Sequence, residues 1–165
     1  MYKKQFISQM KQSILFLLFL STVQPLIGAD EYHLSQDQRN VLTDVPHFQE
    51  AYRSTNIPPE VLTLCDAGTT GLAEPGQKWN ASDTIDPNLP RKRLIWIATK
   101  DEFYVIHYEK GGIAHTSHIA FIRFKPGEGA NVIWRAHGGL FKNYKEFAQA
   151  LKRNELYEDR SSSLH

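Results

Sequence analysis

Four residues of this chain, His107, Glu109, His118 and His137, are of the types that bind metal ions or move protons. Neutral imidazoles and a carboxylate form a ligand set for Zn²⁺, which takes nitrogen and oxygen at roughly 2.0–2.2 Å. Three such ligands and an open position let a metal lower the pKa of a bound water for hydrolysis. Without a metal, Glu109 stands two residues after His107 on one strand face, where a carboxylate can steer a histidine acting as acid or base. A plainer reading is that all four are half-exposed strand residues making local hydrogen bonds. No tightly spaced motif such as HExxH selects among these readings, and P-loop, dinucleotide and serine-elbow patterns are missing from the chain.

The element that must position the group is a hairpin. In 101–124, DEFYVIHYEKGGIAHTSHIAFIRF, two β-rich runs flank Gly111-Gly112, a pair suited to the positive φ of a two-residue turn. With that turn, Lys110 pairs with Ile113. Tyr104, Ile106, Tyr108, Ile113, His115, Ser117, Ile119 and Phe121 then share the more apolar face, turned toward the helices. His107, Glu109, Thr116 and His118 gather on the other face. If Phe124 pairs with Asn131, His118 faces His137 with Cβ atoms roughly 4.5–5.5 Å apart, and the four-residue group is complete. A three-residue turn over 110–112 would instead set His107 against His115.

Strand signals at 93–99, 102–109, 113–124 and 131–137 with short links predict a four-stranded antiparallel meander. A helix over 144–154 follows, with Asn143 as N-cap, Glu146 three residues on, and Tyr144, Phe147, Ala148 and Leu151 as its apolar stripe. Shorter helices are expected at 46–54, after Pro46, and at 58–66, stopped by Gly68. The fold class is therefore α+β, with N-terminal helices and a C-terminal helix packed on one face of the sheet. Residues 30–45 read as a polar arm, 46–157 as a single domain and 158–165 as a flexible tail. The stretch 67–92 is too rich in Gly, Pro, Asn and Asp for a regular element, with Trp79 and Leu89 pinning it to the body. Its Asn80-Ala81-Ser82 sequon reads as chance, and Arg91-Lys92-Arg93 as a solvated strand entrance. Cys65 cannot form an internal disulfide because it is the one cysteine, and its apolar setting favours burial over a nucleophile's role.

The first 29 residues read as an export signal. Lys3, Lys4 and Lys11 precede the apolar run ILFLLFL, Pro25 breaks the helix, and cleavage is expected after Ala29. The run is short of the roughly 20 residues that a membrane span needs. Asp30, not the cysteine of a lipid-anchored protein, follows the cut. Removing the leader leaves 16 basic and 18 acidic residues, a balance that argues against a nucleic-acid partner. The segments AEPGQKWNASD, LPRKRLIWIA and HYEKGGIAH resemble a family of small exported bacterial proteins of unknown function, across about residues 46–150 and most specifically at the hairpin. The resemblance implies a bacterial, periplasmic or secreted protein and supplies no mechanism. Two functions of different classes follow. One is a non-catalytic binding or accessory domain for an envelope or extracellular protein or a small ligand. The other is a small hydrolase, with or without Zn²⁺, using His107, Glu109, His118 and His137.

Overall fold

In the computed structural model, residues 33–65 and 71–159 are described. The expected export signal lies outside them, as do Gly68 and the last six residues of the expected tail.

The polar segment read as an arm folds into helix α1, Gln36–Thr43. Its start is a capping box. Ser35 Oγ accepts the Gln38 N–H, and Gln38 Oε1 accepts the Ser35 N–H at 2.8 Å, so two orphan donors of the first turn are satisfied. Leu34 and Leu42 are buried beneath it. The helix expected at 46–54 is replaced by a 3₁₀ turn at Val45–His47 and a short edge strand, β1, at Gln49–Ala51. Pro46 fixes the turn but cannot continue a helix by itself. Helix α2 covers Pro59–Leu64, and β2, at Leu72–Ala73, follows.

The four long strands are β3 (Lys92–Lys100), β4 (Phe103–Lys110), β5 (Thr116–Lys125) and β6 (Gly129–His137). Helix α3 (Tyr144–Lys152) follows, and β7 (Tyr157–Glu158) lies where a tail was expected. The sheet is larger than the four strands foreseen. Seven strands run in the order β1-β3-β4-β5-β6-β7, with β2 joining β3 in parallel and all other pairings antiparallel. The architecture is thus α+β.

The helices do not share one face. Helices α1 and α3 cover the side carrying Trp96, Val105, Ile119, Phe121 and Trp134, and Tyr144 Oη donates to the Leu42 carbonyl at 2.8 Å to join them. Helix α2 covers the other side, where Val61 and Cys65 pack with Leu94, Ile97, Ile106 and Ile122. Alternation along each strand feeds both cores. Two bulges interrupt it: one puts Leu94 and Trp96, two residues apart on β3, in different cores, and another shifts the register between Phe121↔Trp134 and Ile122↔Val132. Among the described residues, no helix is long and apolar enough to cross a membrane.

Candidate functional site

The hairpin register decides what the histidines can do together. Lys110 faces Thr116, not Ile113, and residues 111–115 form the connection. Gly111 is not spent on a left-handed turn. A Cβ there would lie 1.8 Å from the Asn80 carbonyl oxygen, and the Gly111 N–H donates to the Arg91 carbonyl at 3.0 Å. The glycine exists for this close approach of the 79–91 loop, so the ladder ends before it. Relative to a two-residue turn, the pairing shifts by an odd number, and an odd shift exchanges faces. Ile113, expected inward, is 97% exposed at the tip.

The expected four-residue group is therefore split. His107 and Glu109 lie on the face of α1 and α3, opposite Ile119 and Ser117. His118 lies on the other face, opposite Tyr108, and does face His137 as expected. It does so although Phe124 pairs with Ala130 instead of Asn131, because the β5–β6 bulge absorbs the difference. No group of three His, Cys, Asp or Glu side chains able to hold a metal ion forms among the described residues.

On the inner face, His107 is fully buried, with its ring 5.0 Å from Trp96 and 5.6 Å from Phe141. Its Nε2 is hydrogen-bonded to Ser117 Oγ at 2.7 Å, while Nδ1 closes no well-formed hydrogen bond. Burial pushes the imidazole pKa down to about 4, against a weaker opposing pull from the backbone of Phe141 and Gly139. The ring is neutral at pH 7, and its well-formed side-chain hydrogen bond is to Ser117. Glu109 is buried beside it. Its Oε2 accepts from Arg93 Nε at 2.8 Å, and its Oε1 lies 3.1 Å from His115 Nε2. Trp79 closes the pair, 5.0 Å from the Arg93 guanidinium and 5.4 Å from the His115 ring. Glu109 is thus committed to an ion pair between neighbouring strands.

The outer face carries an arrangement not foreseen in the sequence. Cross-strand partners Tyr108, His118, His137 and Tyr157 form one row over β4, β5, β6 and β7. Tyr108 and His118 stack at 5.3 Å with 12° between planes, and His137 and Tyr157 at 5.7 Å with 18°. Exposure rises along the row, from 5% at Tyr108 to 70% at Tyr157. Thr116 Oγ1 holds His118 Nε2 at 2.8 Å. Burial, and then the charges of Lys110, Lys92 and His137, lower the His118 pKa to about 4. The same sheet edge borders a cleft of about 500 Å³ whose lining includes Arg39, Trp134, Leu151 and Glu158; Trp134 and Leu151 belong to the α1/α3 core, and Glu158, paired with Ala136, lies on that side, across the sheet from the rings.

Several residues have duties that the sequence did not announce. Lys92, expected in solvent, is buried, donates from Nζ to the Cys65 carbonyl at 2.8 Å and stands over the Tyr108 ring. Asn80 is buried with its amide fully used, Nδ2 donating to the Asp86 and Leu89 carbonyls and Oδ1 accepting from the Asp86 N–H. It is the hub of the 79–91 loop and is closed to a glycan. Cys65 is buried as expected, and burial raises its thiol pKa to about 12. No family model, curated protein or solved structure matches the chain.

Proposed function

We propose that the protein is a small exported binding or accessory domain of a bacterial envelope, without catalytic activity, and that it binds through the open end of the Tyr108–His118–His137–Tyr157 row. The export part rests on the leader-like first 29 residues. The binding part rests on one observation: the row begins in the core and ends at the sheet edge with Tyr157 70% exposed and stacked on His137. A soluble domain spends an ordered, exposed ring more usefully on a ligand than on water. The sheet supplies rigidity, so little ordering cost attends binding. Tyr157→Ala and His137→Ala, checked for native melting, are the test. Material retained from envelope extract by the wild-type protein is lost with both variants; undiminished retention overturns the reading.

The hydrolase reading keeps one observation, the 2.7 Å contact between Ser117 and neutral His107. A serine beside a neutral imidazole is the start of a nucleophile–base pair. Here the base is sealed between Trp96 and Phe141. A fluorophosphonate probe that labels Ser117 in the folded protein decides for the enzyme; no labelling leaves the pair as a core hydrogen bond.

A further inference from the structure

The sheet edge that carries Tyr157 also identifies the kind of partner, if the binding reading is right. At the opposite end of the sheet, the outer side of β3 is taken up by β1 opposite 97–99 and by β2 opposite Lys92 and Arg93. β6 is left open. β7 pairs only with Ala136 and His137, and the Asp159 N–H adds one bond to the Arg135 carbonyl at 3.0 Å. Among the described residues, no strand pairs with 129–134 on that side. The Phe124 N–H donates to the Glu102 carbonyl at 2.8 Å, on the side away from β6. Phe124 and Ala130 therefore form a pair that exchanges no hydrogen bonds, and Ala130 turns its N–H and C=O outward from the sheet. Val132, whose partner Ile122 stands two places along β5, does the same.

Such a row of outward donors and acceptors is matched in full by another extended backbone. Sheet edges are commonly guarded by Lys, Pro or inward-pointing charges, and GANVIW at 129–134 has none of these. The one irregularity is the bulge at the end of the stretch, between Val132 and Trp134. Side chains define the complement. Ala130 and Val132 lie on the α2 face, partly buried with Tyr104 and Phe124, while Asn131 is exposed on the other face. A charged residue set against Ala130 or Val132 would lose water without gaining a counter-charge, which is costly. β7 already docks on this edge antiparallel to β6, and the open stretch continues its line. We propose that an extended, uncharged segment of a partner protein adds to β6 at 129–134 as an antiparallel strand in line with β7. Its apolar side chains lie opposite Ala130 and Val132, and a polar one lies opposite Asn131. Tyr157 stands farther along the same edge, where the body of that partner meets it.

The test uses the purified protein and a capped probe peptide, acetyl-Thr-Val-Thr-Val-Thr-amide, with the same peptide N-methylated at both valines as control. Amide hydrogen exchange is followed by NMR. At about nine times the Kd, the probe slows exchange at Ala130 and Val132 about tenfold and leaves the inward Asn131 amide unchanged. The N-methylated control, which has lost the ladder donors, gives no protection. Ala130→Pro removes one edge donor where an edge strand tolerates proline, so it melts as the wild type does and binds the probe about tenfold more weakly or worse. No protection at millimolar probe, or equal protection by the N-methylated control, overturns the proposal. Ala130 and Val132 amides already protected in the free protein, and released by deleting 160–165 or by dilution to a lower mass, overturn it too, giving the edge to the chain itself or to a second copy. Envelope retention lost in Tyr157→Ala but kept in Ala130→Pro overturns the added strand and spares the binding domain. Retention kept in both variants, with no protection by the probe, overturns the two together.

Discussion

His107 shows how one buried side chain sets a pH limit. Its pKa is lowered to about 4, below the ordinary 6.5 of an unfolded chain, because the core disfavours the charged ring. The unfolded state therefore takes up the proton first on acidification. The stabilising contribution is complete above pH 6.5, shrinks as pH falls, and is gone near pH 4. Across that window it is worth on the order of 3 kcal/mol. His118, also lowered to about 4 but only partly buried, acts in the same direction. Thermal melts between pH 7 and 4 show a falling midpoint, and His107→Gln flattens the fall. A wild-type midpoint that holds steady down to pH 4 refutes the assignment.

At the scale of elements, the β4–β5 hairpin depends on a loop that follows β2. Asn80 organises residues 79–91 through three side-chain hydrogen bonds, and its carbonyl leaves no room for a side chain at Gly111. Gly111→Ala forces the loop or the hairpin to move. The expected cost is about 1–3 kcal/mol, the range for inserting a methyl into filled space. A lowered melting midpoint with new protease cleavage inside 79–91 is the expected result, and an unchanged midpoint counts against the contact. Helix α1 shows a related dependence on local signals. Ser35 and Gln38 spell a capping box, and the helix stands although the segment looked irregular.

For the whole molecule, the decisive property is a sheet buried on both faces. Phe147 anchors α3 on one side and Val61 anchors α2 on the other, both with no exposed surface. The two cores share the same strands, so they melt as a unit. Phe147→Ala lowers stability by about 3–5 kcal/mol, and Val61→Ala by less because it leaves a smaller void. Far-ultraviolet dichroism and tryptophan fluorescence give one coincident transition in each variant. Two separated transitions would show the layers to be independent.

What the sequence by itself determined was local. Alternating β-branched and aromatic runs specified the four long strands, and Asn143 with its apolar stripe specified the last helix, because those signals live within one element's own repeat. Cys65 was readable as a buried thiol for the same reason. The pairing of His118 with His137 was also foreseen, though from an anchor pair that does not form. The division of His107 and Glu109 from His118 and His137 was decided only in three dimensions. It turns on whether Gly111 makes a turn or yields to Asn80, a residue 31 positions earlier, and strand parity converts that choice into a change of face. The row from Tyr108 to Tyr157 is tertiary for the same reason: its four rings come from four strands and stand together only once every register is set.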